Sequence, residues 1–270
     1  MLDHVTIGQY IPTGSVLHRM DARVKIILLF VYLVLLFTIS QPAAYLLISA
    51  ATVGLVFLSK VSPRFVLRGL KPMLLILLIT TLFNLFLTPG EAIWEFSPFG
   101  AWNITITREG IRIAVMMFLR LLFLVMISSL LTLTTSPMML TDAIERLLRP
   151  LECIRVPAHE IAMMMTIAIR FIPTLAEEAD KIMKAQTARG ADFESGNLIK
   201  RTKAMIPLLV PLFVSAFRRA DELATAMDAR CYHGGKNRTR MKESKVTRLD
   251  VIAIVCVVLF AGILFLCNQI

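Results

Sequence analysis

The sequence predicts an all-α, polytopic membrane protein with about five transmembrane helices and long amphipathic helices between the fourth and the last span. Three observations carry this. Of 270 residues, 57% are hydrophobic and only 18% are charged, with a mean hydropathy of +0.72. Soluble domains run nearer ~45–50% apolar and ~25% charged, so lipid is the solvent for the excess. Apolar runs close to the ~20 residues needed to cross ~30 Å of hydrocarbon recur along the chain. The loops between them alternate between basic and neutral or acidic.

The spans are expected at Val24–Ser40, Pro42–Ser59, Pro72–Thr88, Ile113–Thr134 and Leu249–Leu266. In hydrocarbon a helix satisfies its own backbone, so each run should be helical. Pro42 stands where a helix start tolerates proline. The organisation is residues 1–134 with four spans, 135–248 outside the bilayer core, and 249–270 with the last span. Arg19, Arg23 and Lys25 precede the first span, and the second connection carries Lys60, Arg64, Arg68 and Lys71 with no acid. The first connection is uncharged, and the third carries Glu91, Glu95 and Glu109 against Arg108 and Arg112. Basic loops stay in the cytoplasm. The N-terminus is therefore expected inside and the C-terminus outside a cell membrane. The opening MLDHVTIGQYIPTG lacks the basic and apolar regions of a cleavable signal.

The net charge of +10 comes from 29 Lys and Arg against 19 Asp and Glu. These basic residues flank or follow apolar spans, which argues against a nucleic-acid partner. Cys153, Cys231, Cys256 and Cys267 form no CxxC or zinc spacing. No HExxH, GxSxG or Walker A motif occurs. The chain is read as a non-enzyme without metal or cofactor; any ATP hydrolysis must come from another chain.

Residues 135–248 hold two apolar stretches, Ile161–Ile172 and Ile206–Phe217. Both are short for a span and suit an interfacial position. In Thr174–Arg189, Leu175, Ala179, Ile182 and Met183 share a face, and Glu177–Lys181 and Asp180–Lys184 have i,i+4 spacing. Leu212–Arg230 repeats the design, with Phe213, Ala216, Ala220, Leu223 and Met227 on one face. Ala179/Ala220, Asp180/Asp221, Ala185/Ala226, Ala188/Ala229 and Arg189/Arg230 match at one constant offset. Chance and duplication both account for five such matches. A polybasic tract follows, with Lys236, Arg238, Arg240, Lys242, Lys245 and Arg248 beside the last membrane entry. Anionic lipid would hold it at ~1 kcal/mol per basic residue.

The repeated ending is Ala188-Arg189-Gly190 and Ala229-Arg230-Cys231. A cation at a helix C-terminus has an ordinary role, since it complements the helix dipole by ~0.3–1 kcal/mol. It also has a functional one. Small neighbours leave the guanidinium free to fork onto carboxylates in a partner's groove. Arg120 lies ~12 Å along the fourth span, where a charge costs at least ~2.5–3.5 kcal/mol. It either snorkels outward or faces other helices or a partner, with Asn84 or a backbone carbonyl as company. Met163, Met164 and Met165 suit either membrane packing or a surface that repacks against several partners.

At these residues a family resemblance enters. SVLHRMDARVK, residues 15–25, resembles the N-terminal signature of the T components of energy-coupling factor transporters, with Met20 and Ala22 in place of Leu and Pro. Arg170-Phe171-Ile172-Pro173 followed by Glu178 is similar to a second recurring segment, and Ala188-Arg189-Gly190 matches the family's small-Arg-small coupling motif. Cys231 departs from the glycine of the second copy. The resemblance covers essentially the whole chain. It implies two cytoplasmic ATPase subunits on the two arginine ends. It also implies a small membrane S component that carries a vitamin or metal ion and packs on the coupling helices. Rival readings are a T component dedicated to cobalt, nickel or biotin, and a membrane-embedded enzyme or channel.

Overall fold

The structure is a computed structural model that describes residues 10–96, 104–193, 197–235 and 246–269. The tract from Lys236 to Lys245, the first nine residues and the tip of the third connection lie outside these. The chain divides into two compact units, Gly8–Leu140 with Ser244–Ile270, and a second built on Thr141–Glu243.

The first unit opens with the short α1 (Val16–Arg19) and then α2 (Ala22–Thr38). Asp21 caps α2 by accepting from Arg23 N and pairs with the Arg23 guanidinium at 2.7 Å. Pro42 starts α3 (Pro42–Ser59), and Pro63 starts α4 (Pro63–Leu70). A 3₁₀ turn, Lys71–Met73, leads into α5 (Leu74–Leu87). The third span thus begins before Pro72, because proline is tolerated in the first turn of the new segment. The third connection, expected as a plain loop, pairs β1 (Ala92–Phe96) antiparallel with β2 (Ile104–Thr107). Thr107 caps α6 (Arg108–Thr134) by accepting from Gly110 N, and its hydroxyl donates to Thr88 O at the end of α5. Gly110 is buried, and a Cβ there would come within 3.0 Å of Leu85 O. α5 and α6 therefore approach closely only because this residue lacks a side chain. After α7 (Pro137–Leu148), α8 (Ala158–Ala188) and α9 (Leu198–Ala229), the chain returns as α10 (Arg248–Gln269). Among the described residues the fold is all-α apart from the one ribbon.

Among the described residues, four helical stretches are long and apolar enough to cross a membrane: Pro42–Ser59, Pro63–Leu87, Arg108–Thr134 and Arg248–Asn268. The first expected span, α2, has 17 residues, the lower end of what crosses a bilayer. Only 11% of the apolar window of α10 is buried within the protein, and Phe30, Leu46, Phe57 and Leu78 stand fully outward. These are lipid-facing surfaces. The core gathers Tyr32, Leu36, Tyr45, Ile48, Phe123 and Leu264 from α2, α3, α6 and α10. Inside it Thr52 donates to Ile48 O at 2.7 Å, so the Tyr32 hydroxyl donates to Thr52 at 2.6 Å.

Polar side chains close both ends of this bundle. Buried Lys25 on α2 donates to Thr134 O at 3.0 Å and Thr135 Oγ1 at 3.1 Å, at the last turn of α6. Arg120 on α6 reciprocates. It donates to Ile39 O at 3.0 Å, just past α2, and to the Tyr45 hydroxyl at 3.1 Å, with its guanidinium over the Phe37 ring. A backbone carbonyl is thus its company. Asn84, the other candidate, donates to Thr80 O on its own helix. Lys25 to Ile39 and Arg120 to Thr134 cover equal lengths of helix, about 21 Å at ~1.5 Å per residue, so α2 and α6 lie antiparallel and in register. Fully buried Asp250 ties the starts of two more elements together. It accepts from Thr247 N and Oγ1 at the start of α10, and from Asp21 N at 2.9 Å. At the other end Ser40 N donates to Asn268 Oδ1.

The signature stretch 15–25 is therefore largely a knot. His18 Nε2 donates to Ile11 O at 2.8 Å, which leaves Nδ1 to accept from Ser15 Oγ at 2.7 Å. Thr13 Oγ1 donates to Ser59 O at the end of α3. Replacing Lys25 by Met keeps the volume but takes this donor from the Thr134 carbonyl and the Thr135 hydroxyl at the end of α6, an expected loss of about 1–3 kcal/mol. Thermal unfolding of the detergent-solubilised chain should shift clearly downward; an unchanged midpoint would contradict the clamp.

Candidate functional site

The second unit presents the two arginine ends. Its helices are longer than the periodicity predicts. Ile161–Ile172 and Thr174–Arg189 are one helix, α8, of 31 residues that runs through Pro173. Ile206–Phe217 and Leu212–Arg230 are likewise one helix, α9, of 32 residues that runs through Pro207 and Pro211. Each of these prolines removes one ladder hydrogen bond, and the surrounding turns carry the helix across. The two helices pack on each other. On α8 the inward stripe holds Leu175, Ala179, Ile182 and Met183, as the spacing predicts. On α9 it runs Leu212, Ala216, Arg219, Leu223 and Met227, while Phe213 and Ala220, expected with them, are exposed.

A polar contact joins the helices. Glu178 accepts from the Ser215 hydroxyl and from Arg219 Nη2 at 3.0 Å. The Ser215 hydroxyl and then the Arg219 guanidinium hold the Glu178 carboxyl below its ordinary range. A depressed carboxylate pKa gives a contact that is complete at neutral pH and lost only as pH falls through that lowered value. Along α8, Asp180 pairs with Lys184 at 2.7 Å. Glu177 and Lys181, equally spaced, do not close to an ion pair among the described residues.

The two C-termini fold alike. At the first, Arg189 N bonds to Gln186 O, Gly190 N to Thr187 O, and Ala191 N to Gln186 O. At the second, Arg230 N bonds to Met227 O, Cys231 N to Asp228 O, and Tyr232 N to Met227 O. Each bond of one set is the other shifted by the repeat offset. In both a residue of positive φ turns the chain, Gly190 at 90° and Cys231 at 53°. The glycine-for-cysteine departure weakens the sequence argument for a cap at Cys231, yet the cap forms. Its bond from Tyr232 N back to Met227 O offsets a left-handed cysteine that costs ~1–2 kcal/mol. Ala188, Arg189, Gly190, Ala229, Arg230 and Cys231 are all exposed, and neither arginine forms an ion pair among the described residues.

The other sequence candidates lie on the flanks. Met163 is half-buried, Met164 and Met165 are exposed, and Arg170 is exposed on α8. Ile172 on α8 and Val210, Phe213 and Phe217 on α9 add outward apolar surface. Arg120 belongs to the first unit and makes the contacts described above. Sequence reading missed Glu178, Ser215 and Arg219 as a set; the signal was present as an acid and a base at the repeat offset.

Changing Gly190 to Ala and Cys231 to Gly should move stability in opposite directions. The first forces a side chain into positive φ. The second relieves that strain and gives a net gain of about 0.5–1 kcal/mol after the added chain entropy. Circular-dichroism melts in detergent check the signs; equal destabilisation by both changes would contradict matched caps.

Comparison with known proteins places this arrangement in a family. The sequence model described as "CbiQ: Cobalt transport protein" matches residues 13–241. The chain is 53% identical to the energy-coupling factor transporter transmembrane protein EcfT of Ruminiclostridium cellulolyticum, covering 96% of both chains. It is 53% identical to the EcfT protein of Clostridium kluyveri over 95% of this chain and 94% of that one. The EcfT protein of Bacillus subtilis is 44% identical with 98% of both covered. With this likeness running from the signature at α1 to the last span, the chain belongs to the family of transmembrane T components of energy-coupling factor transporters.

Proposed function

We propose that this chain is the energy-coupling scaffold of an ATP-driven importer, in which Arg189 and Arg230 each dock in one of two cytoplasmic ATPase subunits. The observation that carries the reading is the pair of matched, exposed arginine caps at the ends of two packed helices, in a chain with no ATP-binding motif. An exposed guanidinium between small residues can enter a groove and fork onto carboxylates there, which Lys does not reproduce. The outward apolar surface of α8 and α9, with Met164, Met165, Phe213 and Phe217, suits a small membrane S component that holds a vitamin or metal ion. Flexible thioethers let one surface fit several such partners. Loop charge supports a cytoplasmic N-terminus and an external C-terminus in the cell membrane. Closure of the ATPases would move α8 and α9 and reorient the S component.

A second reading, a T component dedicated to cobalt, nickel or biotin, draws on the wording of the family description. The two differ in whether one or several S components co-purify with the chain.

Truncating one partner of a buried charge pair costs about 2–5 kcal/mol, whereas rim contacts cost far less. Arg189→Ala should therefore weaken recovery of the ATPases in mild detergent or uncouple hydrolysis from uptake, and Arg189→Lys should restore only part. The double change with Arg230→Ala should nearly abolish uptake while the chain still inserts. Normal assembly and uptake by the double variant, with loss in Arg238→Ala and Arg240→Ala controls, would move the role to the basic tract.

A further inference from the structure

The contact between α8 and α9 falls at a particular place in the repeat. The offset that relates Arg189 to Arg230 and Asp180 to Asp221 also relates Glu178 to Arg219. It relates Thr174 to Ser215 as well, a hydroxyl in both copies. The two helices therefore meet at positions related by the repeat offset, and their capping bonds repeat at the same offset. When a helix packs on its own copy about a local two-fold, a residue on that axis faces its equivalent. Like charges there would repel. The sequence inverts the charge at this place, Glu177-Glu178 in one copy and Arg218-Arg219 in the other, while the nearby Asp180 and Asp221 keep the same sign. The inversion is what such a contact demands.

The geometry beyond this point is matched. Arg189 follows Glu178 by the same number of residues as Arg230 follows Arg219, about 16 Å of helix at ~1.5 Å per residue. Two arms of equal length leave this polar contact and end in caps with matching backbone bonds. The contact is half-exposed, with the Arg219 side chain 40% and the Glu178 side chain 25% accessible. Such a pair fixes geometry more than it adds stability.

We propose that Glu178, Ser215 and Arg219 are the pivot of the coupling unit. They are positioning residues that hold the two arginine ends at matched reach, so that movement of one ATPase subunit is passed to the end held by the other. The pivot rests on the reading that Arg189 and Arg230 dock in ATPases, but its geometry belongs to this chain alone.

Genetically encoded spin labels at Thr187 and Asp228, equivalent exposed positions near the two ends, report it by pulsed electron-electron resonance. The full chain is measured in nanodiscs, with and without its ATPases. The single narrow distance expected for the unchanged chain should be lost in Glu178→Gln and in Arg219→Gln. It should return in the exchanged pair Glu178→Arg with Arg219→Glu. In the assembled transporter the single variants should retain their ATPases and hydrolyse more ATP per substrate taken up, and the exchange should restore the ratio. Ser215→Ala, which removes one bond only, should broaden the distance less and serves if a charge variant fails to insert. An unchanged distance in every inserted variant, or an exchange that inserts without restoring it, overturns the pivot. Failure of docking alone reads differently: the distance still responds to the pivot variants while Arg189→Ala keeps its ATPases.

Discussion

A carbonyl at the end of a membrane helix must find a donor where little water reaches it, and the first unit is organised by that requirement. α2 and α6 each supply the cation that the other's C-terminal end needs. Lys25 serves Thr134 and Arg120 serves Ile39. Each clamp fixes one end of the same antiparallel pair, so the two together set its register. Asp250 then brings α10 to the Lys25 end through the amide of Asp21, and Thr13 brings α3 there through the carbonyl of Ser59. The exposed faces of the same helices need nothing beyond lipid.

Much of this was legible as anomaly and little as geometry. An arginine deep in an apolar run announces a partner, and a backbone carbonyl was one of the two foreseen. Which carbonyl depends on the pairing of α2 with α6, and that lies in packing between segments distant in sequence. Lys25 reads from sequence as one more basic flank of a span, and only the structure shows it buried. The ribbon of β1 and β2 escaped notice because strands this short carry too little alternation to stand out among polar connection residues. In the second unit the segments read separately from sequence are two long helices that run through Pro173, Pro207 and Pro211, where flanking turns and tertiary contacts outweigh local preference.

The family was legible from motifs at both ends of the chain, and the full-length likeness to T components agrees with it. The duplication was not decidable from five matching residues, since alanine and charge recur on any amphipathic helix. What favours it is the agreement of backbone bonds at the two caps with the Glu178–Arg219 contact between the helices, all at a single offset. Cys231 adds physical weight, because a residue that resists positive φ adopts it where the first copy has glycine.

The coupling role turns on what lies against the two arginine ends in a living cell. A photo-reactive amino acid placed at Ala188 or at Ala229 keeps both arginines and reports its neighbour on irradiation. Capture of an ATPase subunit from each position would support two docked ends. Capture from neither position, in cells where the transporter is assembled and active, would contradict it.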